Sequence, residues 1–493
     1  MKENINYYSF LFLAAVLSPI SVLAPLGTWI PSMIISFVLL HNINFNIKDI
    51  HNNKLNLGVL FFFAWIYVNF IILNLNLEAL EKIIHLSLIF LSGYILERSI
   101  IKTKNFNYII ITFSFSLIIS AAIIMLDVGL NIGLKLWLSK NLDFNNFNNF
   151  YSLKSWITLK EFSLNNADEI SNYFDNTYDR GIAIISVLAL PIGAFCFFYN
   201  YRILGILVIL TCFLTSLTFY NYTVLIGYLL VFIVSLLLIL KRNLNINFFL
   251  LFFAIYFITA PLILGQLDYK NFAAYETNIE EEKKAITKKY INCKDRGLKK
   301  FEAEYKKNSS VKKDCIKNIY IFKNFLFSKM SMSKVIDFSK YQYYHLSDKI
   351  IHRLMIWSFS KEKIFDRPIF GYGVFKTRSV GEEYKIIDKD NNKISAIPLH
   401  THNGILQIWL ELGGIGVLLF YYLIFILMKR IHSFSKISRN YSIIVSASLI
   451  QIFFIGQLSF GVWQSWWMSI IAITIVLYSL LFTKVKTLKD FSK

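Results

Sequence analysis

The chain has 493 residues, 56% of them hydrophobic and 17% aromatic, with a positive mean hydropathy and a formal net charge of +20. Such a composition excludes an ordinary soluble enzyme and points to a membrane protein whose charge lies in the connections between apolar runs. The basic balance then speaks for anionic lipids or phosphorylated glycolipids as partners, not for nucleic acid.

At about 20 apolar residues per helical crossing, twelve spans are predicted, at 8–24, 27–41, 56–75, 79–96, 108–127, 180–199, 202–219, 222–240, 248–265, 404–428, 441–457 and 461–482. The expected fold class is an all-α polytopic membrane protein of about twelve transmembrane helices with a large, mostly helical outward loop. Only Lys2 and Glu3 precede the first span, no small-residue cleavage site follows it, and a second apolar run comes next, so it reads as an uncleaved helix. With the N-terminus inside, the inward connections collect Lys48, Lys54, Arg98, Lys102, Lys104, Arg202, Lys241, Arg242, Lys429, Arg430, Lys436 and Arg439. The short outward connections 25–26, 75–78, 220–221 and 458–460 hold no Lys or Arg, which puts both termini in the cytoplasm. The chain is thereby divided into 1–127 (helices one to five), 128–179 (a first long outward loop), 180–265 (helices six to nine), 266–403 (a large outward loop) and 404–493 (the last three helices and a cytoplasmic tail).

Outward segments of this length usually carry function. The larger holds 28 Lys and Arg against 17 Asp and Glu, a net of +11, which suits an anionic partner as well as it suits a merely solvated face. Cys196 and Cys212 fall within spans, whereas Cys293 and Cys315 share the large loop. In an oxidising compartment the latter two are expected to form one disulfide.

Late in that loop, KIIHRLMIWSFSKEKIFDRPIFGYGVF reads as a helix with Ile351, Leu354, Ile356 or Trp357 and Ile364 on its apolar side, ending before Pro368 and followed by a turn at Gly371 and Gly373. His352 and Arg353 stand at its start. An arginine among aromatic residues reads equally as a snorkelling side chain and as an anion ligand. EYKIIDKDNNKISAIP then alternates and turns on Asp388–Asn392, as a β-hairpin does. The acidic pair Asp388 and Asp390 lacks the glycine and glutamate of a calcium loop, and no metal is expected there.

PLHTHNGILQIWLELGGIGVLLF follows, with Pro398 forbidding an earlier helix start. Helical spacing would put His402, Leu406, Trp409, Gly413 and Gly416 on one stripe, with the histidine at the membrane boundary above small residues that admit a neighbouring helix. As zinc ligands, His400 and His402 match no standard spacing. Taken alone, His402 could equally be an interfacial histidine.

His402-Asn403, nine further residues, and Gly413-x-x-Gly416 resemble the H-[NSQ]-x9-G-x-x-[GTY] signature of the O-antigen ligase family, within the larger group that holds O-antigen polymerases and protein O-oligosaccharyltransferases. RLMIWSFSKEKIFDRPIFGYG resembles the arginine-bearing helix and Pro-x-x-Gly-x-Gly turn that precede the signature, and Tyr178-Asp179-Arg180-Gly181 resembles the family's other arginine position. The resemblance covers residues 350–425 well and the rest loosely. It implies a GT-C-type membrane glycosyltransferase in the bacterial inner membrane, with its active site facing the periplasm. It further implies that glycan passes from undecaprenyl diphosphate to an acceptor hydroxyl by inverting displacement, with no metal or other cofactor.

In that scheme His402 is the catalytic general base, since a neutral imidazole suits proton removal near pH 7. Arg180 and Arg353 are the diphosphate ligands, because a forked, permanently charged guanidinium stabilises a phosphate leaving group. Asn403, His400, Trp357, Gly413 and Gly416 are supporting residues, and Arg367 and Arg378 rank below them. The leading expectation is an O-antigen ligase acting on lipid A–core, with membrane lipids around it. An O-antigen polymerase with a glycan acceptor, a protein O-oligosaccharyltransferase and a lipid-glycan transporter are the alternatives. The transporter reading is disfavoured because the spans carry few charges away from their ends.

Overall fold

The computed structural model describes residues 2–42, 54–73, 75–103, 105–129, 134, 178–218, 221–240, 246–266, 348–383, 385–387 and 393–491. Cys293, Cys315, most of both long connections and the hairpin tip at 388–392 lie outside the described residues.

Hydrocarbon offers backbone groups no partner, so a long apolar run must close its hydrogen bonds within itself and becomes a helix. Twelve of the described helices obey that rule: α1 (Lys2–Leu23), α2 (Trp29–Leu39), α3 (Lys54–Leu73), α4 (Leu77–Ile100), α5 (Phe106–Gly129), α6 (Asp179–Phe198), α7 (Arg202–Thr218), α8 (Tyr222–Leu240), α9 (Ile246–Leu264), α12 (Gly404–Ser435), α13 (Arg439–Leu458) and α14 (Ser465–Phe491). Nine of them are long and apolar enough to cross a membrane, and α2, α7 and α9 are shorter apolar helices. Each coincides with one of the twelve spans expected from the sequence.

By its internal contacts the chain forms two compact units, one of residues 1–258, 369–375 and 402–493, the other of 259–368 and 376–401. The first unit is the helix bundle. Its centre is α6, 89% of whose apolar window is buried, packed by α1, α5, α7, α13 and α14. Small residues allow this: a Cβ on Gly205 of α7 would lie 3.2 Å from the Gly193 carbonyl of α6. Around it α8 packs on α13, α4 on α14, and α12 on both α3 and α13.

Side-chain contacts show which helix ends lie together. Arg439, at the start of α13, donates to the carbonyls of Leu238 and Ile239 at the end of α8 (2.8 and 2.9 Å), and Lys489 of α14 donates to Lys436 O at 3.0 Å. The basic residues of these connections thus serve as C-terminal caps at one end of the bundle. At the other end α6, α8 and α12 begin and α13 finishes.

In the second unit, α10 (Asp348–Asp366) buries Met355, Ile356, Trp357, Phe359 and Ile364. It starts one turn earlier than the sequence suggests, so Arg353 lies in its second turn. Lys363, with a side chain 6% exposed, pairs with Asp366 at 3.0 Å. A short α11 (Thr377–Glu383) leads into the expected hairpin, β1 (Lys385–Ile387) against β2 (Lys393–Ser395), antiparallel with Ile386 opposite Ile394.

Candidate active site

The start of α12 is built from side-chain hydrogen bonds. Asn403 is its N-cap, with φ −149° and ψ 119°, and Asn403 Oδ1 accepts from Leu406 N at 3.0 Å. Asn403 Nδ2 donates to Tyr256 Oη of α9 at 3.1 Å, and Tyr256 Oη donates to Gln457 Oε1 of α13 at 3.1 Å. That same Gln457 oxygen accepts from Ile405 N at 3.2 Å. The start of α12, the end of α13 and the middle of α9 are therefore joined next to the histidine by one amide–phenol–amide chain.

His402 itself precedes the cap. Its φ is 51°, in the left-handed region that histidine tolerates better than most residues, and its ring is half-buried with Nδ1 shielded from solvent. The stripe expected from helical spacing is therefore corrected: α12 starts at Gly404, and His402 leaves the helix line in a turn. Asn403 is correspondingly a cap and a tie to α9, with both ends of its amide engaged by protein.

Nine residues on, α12 breaks. Gly413 has φ 64° and ψ −168°, a conformation that glycine alone adopts without strain. The break frees carbonyls, and the 369–375 turn takes them: Tyr372 N donates to Leu410 O at 2.8 Å and Gly373 N to Glu411 O at 3.0 Å. Trp65 Nε1 of α3 covers Leu412 O at 3.2 Å. Asn69 stitches the turn from the same helix, donating to Phe370 O and accepting from Val374 N, each at 2.8 Å. A Cβ on Gly413 would lie 2.2 Å from Ile369 O, and one on Gly371 (φ 72°) 2.5 Å from Glu411 O. The two signature glycines hence do not admit a neighbouring helix, as their spacing suggested. Gly413 admits the Pro-x-x-Gly-x-Gly turn, and Gly416 lies across the break from Leu412, whose Cβ would be 2.3 Å from a Cβ added at Gly416.

Arg180 is half-buried on the first turn of α6, directly after two pinned residues. Tyr178 Oη donates to the buried Asp127 carboxylate at the end of α5. Asn221 Nδ2 donates to Asp179 Oδ1 at 3.1 Å while Asn221 Oδ1 accepts from Val224 N at 3.2 Å, so one asparagine caps α8 and holds the start of α6. The start of α8 lies along the last turns of α13, where a Cβ on Gly227 would be 3.2 Å from Gln451 Cγ. Arg180 and His402 thus stand at the same end of the bundle, the end opposite Arg439 and Lys489.

The remaining candidates belong to the second unit. Arg353 is half-buried on α10, and one turn on, Trp357 Nε1 donates to the buried carbonyl of Thr401 at 2.9 Å. The expected tryptophan thereby fixes the irregular segment that leads to His402 in the chain. His400 is half-buried there. Arg378 pairs with Glu382 at 2.8 Å on the surface and Arg367 is exposed. Among the described residues no three of His, Cys, Asp or Glu gather closely enough to hold a metal ion.

Sequence reasoning missed Tyr256, Gln457, Gln407, Glu411, Trp463 and Asn69. It also understated the charge within spans, since Glu411 is 1% exposed inside α12. One signal was available: Asn403, Gln407 and Glu411 are spaced i, i+4, i+8, a polar stripe in an apolar helix.

Residues 203–421, from α7 through the break in α12, match the family described as O-antigen ligase. Proteins named "putative polysaccharide ligase" in Rickettsia conorii and Rickettsia typhi are each 40% identical over 119 and 117 residues, 24% of this chain and 28% of theirs. One from Rickettsia bellii is 37% identical over 145 residues, 28% of this chain and 35% of its own. The chain thus spans about a third or less of the length of the curated relatives it matches. Across 203–421, with the His402 turn and both signature glycines inside the match, the chain is similar to the O-antigen ligase family.

Proposed function

We propose that this protein is a bacterial inner-membrane glycosyltransferase of the O-antigen ligase type, which moves polymerised O-antigen from undecaprenyl diphosphate to lipid A–core. The observation that carries this reading is the His402-Asn403 turn, half-buried at the bundle end remote from the basic caps and inside the family match. Charge asymmetry makes that end periplasmic and both termini cytoplasmic, with 128–179 and 266–403 as the periplasmic connections.

His402 accepts the proton of the acceptor hydroxyl as its oxygen bonds to the anomeric carbon. The bond from that carbon to the diphosphate oxygen breaks with inversion, and the electron pair leaves with the lipid diphosphate. Arg180 and Arg353 stabilise the charge that develops there, without a metal. Asn403, tied to Tyr256 and Gln457, keeps the base at the lip of the membrane, where a lipid-borne diphosphate presents its sugar.

The test is a deletion strain with the carrier lipid analysed. Long polymer accumulating on undecaprenyl diphosphate supports the ligase, and single repeats there overturn it in favour of an O-antigen polymerase.

A further inference from the structure

The first segment of α12, Gly404–Leu412, is a short helix suspended between the His402 turn and the break at Gly413. Near its end the buried Glu411 carboxylate accepts from several donors. Glu411 Oε2 accepts from Phe375 N at 2.8 Å and from Trp463 Nε1 at 2.6 Å, and Oε1 accepts from Gln407 Nε2 at 3.2 Å. Gln407 Oε1 in turn accepts from Val462 N at 3.0 Å. A carboxylate within a membrane bundle is costly and is retained where it has a role. Here it binds the 369–375 turn and the α13–α14 connection to one short helix.

We infer that Gln407 and Glu411 are a paired positioning device that fixes the first segment of α12, and with it the pose of His402. The inference rests on the reading of His402 as the general base. Donor and acceptor arithmetic makes the pairing specific. An amide at position 411 can turn its oxygen to Phe375 and Trp463, but its NH2 then meets the NH2 of Gln407. Flipping Gln407 only moves the conflict to Val462 N. Exchanging the two side chains resolves it. The amide then at position 411 donates to one oxygen of the carboxylate at position 407, whose other oxygen accepts from Val462 N.

The experiment compares E411Q, Q407E and the double variant Q407E/E411Q in the full-length protein, with an undecaprenyl-diphosphate-linked glycan as donor. Each single variant is expected to lose about a hundredfold in kcat, the scale of a misplaced catalytic group, with little change in KM. Q407E places two carboxylates side by side, and E411Q opposes two amides. The double variant is expected to recover to within about threefold of wild type, since coupled neighbours are not additive. Amide hydrogen exchange at Tyr372–Phe375 should rise in E411Q and return in the double variant.

Wild-type turnover in E411Q overturns the inference, and so does a double variant that folds normally but is no more active than the singles. Should wild-type protein transfer no glycan, the proposed function fails, while exchange at Tyr372–Phe375 still decides whether the clasp exists.

Discussion

The two ends of the Gly404–Leu412 helix are held by different means. At the His402 end, Asn403, Tyr256 and Gln457 supply side-chain hydrogen bonds that tie the ends of α12 and α13 to the middle of α9. At the Gly413 end, amides of the 369–375 turn replace the missing helical donors, beside the side-chain bonds of Glu411 and Trp65. A side-chain anchor can be altered one group at a time and leaves the bundle standing. A backbone anchor depends on the close approach of two chains, so a single methyl group disrupts it. The backbone approach at Gly413 therefore bears chiefly on stability, whereas the side-chain bonds at both ends bear on the pose of His402.

The largest effect that would sharpen this contrast is His402→Ala, expected to lower glycan transfer about 10²- to 10⁴-fold at normal protein level. Transfer at the wild-type rate would mean that His402 is not the base. Next is Gly413→Ala, expected to cost about 3 kcal/mol from the forced φ and the clash with Ile369 O. A thermal melt of the purified protein reads it, and an unchanged midpoint would break the assignment of stability to that end.

Asn403→Ala removes a helix cap and the tie to Tyr256, costing about 1 kcal/mol. Its transfer rate should fall by more than its melting point suggests, with Tyr256→Phe giving a weaker version of the same split. Smallest of all, Arg378→Ala should leave transfer unchanged and alter stability by less than about 0.5 kcal/mol, because its ion pair is exposed on both sides. A large loss of transfer in this last variant would restore Arg378 as a substrate ligand.

Much of the architecture was legible because hydrocarbon imposes one rule on every apolar run. The twelve apolar helices, the hairpin at Lys385–Ser395 and the helix end before Pro368 follow from local pattern. The cap role of Asn403 was also within reach, since Asn-Gly before an apolar run is a helix start. The stripe through His402 failed for a definite reason: spacing assumes a helix that begins early and continues unbroken, and neither a left-handed His402 nor a broken Gly413 is visible in periodicity. Tyr256 and Gln457 were invisible too, being single polar residues in otherwise uniform spans, 147 and 52 positions away from the residues they hold.

By itself the sequence determined the approximate places of the apolar helices, the end at which basic residues gather and the place of His402 beside an apolar helix, because these depend on composition and on short-range spacing. Only the tertiary structure decided what the glycines are for, which helices grip the His402 turn and why a carboxylate survives at Glu411. Those depend on which distant donors and acceptors meet, and in a medium without water each buried polar group must find its partner in three dimensions.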